Sequence, residues 1–136
     1  MRGVTEPRAA TTELAAALRA LHQRLLAVTQ KNFEKLNGRV AGPGQLLQLV
    51  VHDSLFAWLR PLSQQIAVVD ELAAAEELAP SDLETAVAET LALLDQEGPF
   101  RATYLVYLQA EPDVVMAHAA LRRLLVRFAR GPKAPS

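Results

Sequence analysis

The chain has 136 residues, 51 % of them apolar, a net charge of −1 and no cysteine. That length fits one domain and is enough to bury roughly two-thirds of the surface that the unfolded chain exposes. The lack of cysteine excludes disulfides, thiolate metal sites, iron–sulfur clusters and cysteine nucleophiles, and the apolar content, above the ordinary globular range, leaves a surplus for self-association.

The first residues include Arg2, Glu6, Pro7 and Arg8 but no apolar h-region, so no secretory signal is expected. No run reaches the ~20 apolar residues needed to span a bilayer; the longest candidate, residues 46–59, is interrupted by Gln48, His52 and Asp53. The expectation is a soluble cytoplasmic protein with no membrane partner, and the abundance of Ala, Leu and Arg points to a bacterial genome of high GC content. Charge is segregated along the chain. Residues 1–60 hold eight Lys/Arg against four Asp/Glu, residues 61–113 hold Arg101 alone against eleven acids, and residues 114–136 hold five bases and no acid. Such segregation marks either a partner of opposite sign or basic helices packed beside acidic ones within one bundle, the second being the simpler reading.

Residues 1–10 read as a disordered arm. Thr11 or Thr12 offers a hydroxyl to cap a first helix, along which Leu14, Leu18, Leu21, Leu25 and Val28 follow at spacings of 4, 3, 4 and 3, one apolar stripe widened by Leu26, Phe33 and Leu36. Asn37-Gly38 stops it, and Ala41-Gly42-Pro43-Gly44 is a loop. Leu47, Val51, Leu55, Trp58, Leu62, Ile66, Val69 and Leu72 keep helical spacing across Pro61. The spacing predicts one long second helix over residues 45–78, kinked near Arg60-Pro61, with two shorter helices as the alternative.

After Pro80, Ser81-Asp82-Leu83-Glu84 has the form of a capping box, the Ser81 hydroxyl bonding the backbone of Glu84 while Glu84 reaches back. Leu83, Val87, Thr90 and Leu94 form the third stripe. Gly98-Pro99 ends that helix and opens a fourth, marked by Phe100, Tyr104, Tyr107 and Leu108 and broken or kinked at Pro112; Val114, His118, Leu121, Leu125 and Phe128 continue at 4, 3, 4 and 3. Gly131-Pro132 closes it, leaving residues 131–136 as a flexible tail. With no strand alternation and with short connections, the predicted fold is all-α: an antiparallel up-down-up-down four-helix bundle over residues 11–130.

Chemistry-bearing residues are few. His118 sits on an apolar seam where leucine is expected, His22 flanks the first stripe, and His52 shares a face with Phe56 and Leu59. Imidazoles converging in a bundle core hold metals or haem, so His22, His52 and His118 are the candidate metal ligands. Their spacing does not indicate a metal, since Glu-x-x-His, His-x-x-x-His and His-Glu-x-x-His are all absent. Around the expected kink, Asp53 and Arg60 fall on one face two turns apart, beside Trp58, the sole tryptophan. With Tyr104 these give the candidate ligand-binding set His52, Asp53, Trp58, Arg60, Tyr104 and His118. The competing structural reading fills the core with Trp58 and Phe56 and places Asp53 near a helix start, where a carboxylate is favourable. No catalytic residue is assigned: Ser54, Ser63 and Ser81 lack a nucleophile elbow, and Gly42-Pro43-Gly44 lacks the spacing and lysine of a phosphate loop.

The stretch His52-Asp53-Ser54-Leu55-Phe56-Ala57-Trp58-Leu59-Arg60-Pro61-Leu62-Ser63, and residues 104–118 with Leu108-Gln109 and Pro112-Asp113-Val114-Val115, resemble those of small bacterial helical-bundle proteins. The resemblance covers about a third of the chain. It implies a helical bundle and carries over no functional residue. The chain is also similar in outline to histidine-bearing metal bundles of the DinB and hemerythrin types, from whose ligand spacing it departs.

Three functional readings follow. The first is a non-enzymatic bundle acting by association, with itself or with a protein partner, since Ala15 to Ala17 and Ala73 to Ala75 permit close helix approach. The second is a metal or small-ligand site built on His118 with His52 or His22. The third is nucleic-acid binding through the basic final helix and tail (Arg122, Arg123, Arg127, Arg130 and Lys133), against which a sequence pI near 6.3 weighs.

Overall fold

Seven α-helices and their short connections make up residues 6–130, the part of the chain that the computed structural model describes, and no strand occurs among those residues. The chain is therefore all-helical, but divided more finely than the hydrophobic pattern suggests. None of the helices described is long and apolar enough to cross a membrane.

The first helix, α1 (Pro7–Asn37), starts ahead of the expected threonines. The Glu6 carboxylate accepts from the backbone N–H groups of Arg8 (3.0 Å) and Ala9 (2.9 Å), and Pro7, with no N–H to satisfy, takes the first turn. Residues 7–10 are thus helical rather than part of an arm, and Ala10 is fully buried. Thr11 lies inside the helix, its hydroxyl donating to the Pro7 carbonyl at 2.6 Å. The stop at Asn37 is as expected: Gly38 has φ +88°, a conformation that L side chains resist, and its N–H donates to the Glu34 carbonyl. Residues 1–5 of the expected arm, and the Gly131-Pro132 stop with the 131–136 tail, lie outside the described residues.

The expected long second helix is three helices, α2 (Pro43–His52), α3 (Ser54–Ala57) and α4 (Arg60–Ala74). Two local causes cut it. Asp53 is extended, at φ −85° and ψ 134°, and its carboxylate accepts from the Leu55 N–H at 2.8 Å, so it caps α3 instead of continuing α2. Pro61 then falls in the first turn of α4, where its missing N–H costs nothing, and starts a helix rather than kinking one. The far end of α4, at Ala74 rather than residue 78, is held by Arg8, whose guanidinium donates to the carbonyls of Ala73 (2.6 Å) and Glu76 (3.3 Å). A cation there also meets the negative end of the helix dipole.

The next helix, α5 (Pro80–Asp95), is capped two residues earlier than the Ser81/Glu84 box. Asp82 takes the Ala79 N–H at 2.9 Å, because Pro80 already occupies the first helical position and Ser81 lies inside the helix. The last two helices, α6 (Pro99–Ala110) and α7 (Pro112–Arg130), divide at Pro112 as expected. Glu111, extended as a residue before proline tends to be, makes the joint.

Packing centres on α1, whose widest contacts are with α4 and α7; α5 lies against both α4 and α7, and α6 against α5 and α7. Going forward along α1, its partners run backward toward α3: Arg8 meets Ala73, His22 meets Ser63, and Thr29 meets Trp58. The main core gathers Leu14, Leu18, Leu21 and Leu25 of α1 with Leu62, Val69, Val87, Val114, Leu121 and Leu125. Each fully buried leucine contributes about 1.5–3 kcal/mol. A smaller cluster of Phe33, Val40 and Phe56 lies beneath α2, which itself packs mainly on α3. Leu47, expected on the core stripe, is exposed because the break at Asp53 detaches the α2 phase from that of α4.

Candidate functional site

His118 of α7 and Tyr104 of α6 form a polar pair at the edge of the main core. Tyr104 is 1 % exposed, and its hydroxyl is 2.6 Å from His118 Nδ1. Burial pushes the Tyr104 phenol far above its ordinary value, with the Arg122 charge pulling weakly the other way. Burial also holds the His118 imidazole below its ordinary value, Arg122 adding to the effect and Asp95 opposing it. The phenol is therefore protonated and the imidazole neutral near pH 7, so Tyr104 O–H donates and Nδ1 accepts. The pair closes a ladder of rings. Tyr107 stacks on Trp58 (5.3 Å between centroids), Trp58 lies 5.5 Å from Phe100, Phe100 stacks on Tyr104 (5.6 Å), and Tyr104 meets His118 at 5.6 Å. Polar tips fasten the ladder to α1: the Trp58 indole N–H donates to Thr29 Oγ1 at 3.2 Å, and the Asn32 amide donates to the Tyr107 hydroxyl at 3.0 Å.

The remaining candidates are dispersed. His22 faces Ser63, with Nε2 at 3.0 Å from Oγ and the ring held below its ordinary value by burial. That is a nucleophile-to-base distance, but no carboxylate bonds the ring to orient it among the described residues, so the pair lacks the third member such chemistry uses. His52 is exposed at the end of α2. Asp53 is occupied as the α3 cap, and Arg60 opens α4, so the two do not share one helical face as the uninterrupted helix required. Among the described residues, no three His, Asp or Glu side chains stand together where they would hold a metal ion. The proposed ligand set of His22, His52 and His118 is therefore not assembled, each ring having a separate neighbourhood. Tyr104, Trp58 and His118 do come together, as parts of the core and of one ring ladder.

Two arginines of the basic final helix are engaged within the chain. Arg122 pairs with Asp95 of α5 at 2.8 Å, and Arg127 with Glu13 of α1 at 2.8 Å while its guanidinium lies over the Phe128 ring; Arg19 of α1 pairs with Asp70 of α4 at 2.7 Å. Segregated charge thus meets its opposite between neighbouring helices. Arg123 is exposed and has no ion-pair partner among the described residues.

The outer face of α7 was missed by sequence reasoning. Its inward stripe, Val114, Leu121, Leu125 and Phe128, is buried. On the opposite side Val115 (43 %), Met116 (71 %) and Val126 (49 %) are exposed together with Ala120, interleaved with arginines and with no acid after Asp113. An open groove of about 760 Å³, lined by Ala120, Arg123, Leu124 and Val126 with Arg122, Arg127 and Glu13, runs along this face, and one of about 340 Å³ lies beside Val115 and Met116. The signal was present in the sequence: α7 has more apolar residues than its core stripe needs.

The chain matches no family model, no curated protein and no solved structure.

Proposed function

We propose that this protein is a non-enzymatic, cytoplasmic helical bundle that works by association, using the outer face of α7 as its contact surface. The frame is an up-down-up-down arrangement of α1, α4, α5 and α7, with α2, α3 and α6 as short additions; the reversed order of partners between α1 and the α3–α4 stretch supports it. The observation that carries the function is that α7 is apolar on two sides, one side in the core and the other, with Val115, Met116 and Val126, facing outward among arginines. A solvated helix face is ordinarily polar, and exposed apolar residues rimmed by charge are characteristic of interaction surfaces. Neither alternative has a comparable support. The histidines do not assemble, and two of the arginines that would contact phosphates are in ion pairs.

Met116→Glu and Val126→Glu place a charge on this face without touching the core. Sedimentation velocity and affinity capture with the wild-type chain should show complexes that both variants lose while far-UV circular dichroism stays the same. A wild-type chain that neither self-associates nor captures any protein in a manner sensitive to these substitutions would overturn the reading.

A further inference from the structure

We propose that the occupant of the α7 face is the outer face of α4 on a second copy of this chain, so that copies associate head to tail. This rests on the reading of α7 as a contact surface and names its partner. The argument is one of complementarity. The α7 face is apolar and basic. Residues 61–113 carry eleven acids against one arginine, and within them α4 turns outward a face that is apolar and acidic: Val68 is exposed beside Ala67 and Ala74, with Glu71 among them. Glu71, like Arg123, has no ion-pair partner among the described residues. Alanines on α4 let the longer Val126 and Met116 side chains approach the helix backbone while Arg123 reaches Glu71. The same pairing of basic and acidic helices already operates inside the chain, in Arg19–Asp70 and Arg122–Asp95.

Geometry sets the kind of assembly. Both α4 and α7 pack on α1 and on α5, so in the four-helix frame they stand on opposite corners and their outer faces look away from one another. A contact between two different patches facing apart does not close after two copies; it continues as an open series or closes as a larger ring.

Sedimentation equilibrium of the full chain over a wide concentration range tests this. The expected result is a mass that rises with concentration past the dimer and falls at high salt. Arg123→Glu and Glu71→Arg should each weaken association by about tenfold. An equimolar mixture of the two variants should regain it, because each supplies the face the other lacks and the two introduced charges also meet with opposite sign. Glu89→Arg, on the outer side of α5, controls for net charge and should change nothing. A monomer at all concentrations, an assembly that stops at two copies, or association indifferent to Arg123→Glu and Glu71→Arg would overturn the proposal. A monomeric chain that still captures another protein, or anionic vesicles, through Met116 would do so too, while leaving α7 a contact surface. Loss of both self-association and Met116-dependent capture would remove that broader reading as well.

Discussion

Tyr104→Phe tests whether the Tyr104–His118 hydrogen bond holds α6 to α7. The substitution keeps the ring and its packing against Phe100 and removes one oxygen from a site that is 1 % exposed. It forfeits a net hydrogen bond of about 1 kcal/mol and strands His118 Nδ1, which adds up to about 1 kcal/mol more because water reaches that half-buried ring only in part. The expected loss, measured by urea unfolding followed at 222 nm, is about 1–2 kcal/mol, or roughly 4–8 °C in Tm for a chain of this size. A cycle isolates the pair. In a His118→Leu background the acceptor is already gone, so removing the hydroxyl no longer breaks a bond and instead relieves a buried, unpaired group; the coupling energy should therefore exceed the single loss, at about 2–3 kcal/mol. A Tyr104→Phe variant within about 0.3 kcal/mol of wild type, or two substitutions that simply add, would refute the reasoning.

Further expectations concern pH, a cap and the core. Burial holds His22 and His118 below 6.5, so in mild acid the unfolded chain binds more protons than the folded one; stability should be full above about pH 7 and fall as pH drops through 6.5. Glu6 and Glu34, whose carboxyls sit below 4.5 because backbone N–H groups donate to them, add their loss only further into acid. Urea midpoints at pH 7.5, 6.5 and 5.5 should decline, and a flat or rising series contradicts the assignment. Asp53→Ala removes the α3 cap and should cost about 1 kcal/mol, with the Leu55 amide exchanging faster by hydrogen–deuterium measurement; an unchanged rate would show that the cap is idle. Leu18→Ala, at a fully buried position on α1, should cost about 2–5 kcal/mol, and a loss below 1 kcal/mol would mean that α1 is not the centre of the core.

Inward stripes were legible because they obey one period over a whole helix: Leu14, Leu18, Leu21 and Leu25 on α1, and Val114, Leu121, Leu125 and Phe128 on α7, are buried as their spacing requires. Breaks were harder. Periodicity in the sequence runs through Asp53 and Pro61 even though α3 buries Phe56 in the smaller cluster and α4 buries Leu62 and Val69 in the main core, and the pattern does not reveal that a carboxylate has captured a backbone N–H at Leu55. Prolines misled in one direction and helped in another. Pro61, Pro80 and Pro112 each stand in a first helical turn, so reading proline as a start signal would have divided the second helix and moved the α5 cap from Ser81 to Ala79, with Asp82 in place of Glu84 as the reaching carboxylate. For the site, the unusual placement of His118 on a seam was visible, but its partner was not, since Tyr104 is fourteen residues away on another helix. Whether histidines on separate helices face one another depends on helix rotation, which a stripe constrains only for the apolar side.

The ring ladder also makes the molecule its own optical probe. Trp58 is the only tryptophan, flanked by Tyr107 and Phe100, both on α6, while its indole N–H is held by Thr29 of α1. Emission from that single indole therefore reports the docking of α6, whereas ellipticity reports helicity across the chain. If α6 lifts away first, tyrosine-to-tryptophan energy transfer fades and the spectrum shifts red before helicity falls, so the two signals, recorded on one sample, separate local opening from global unfolding.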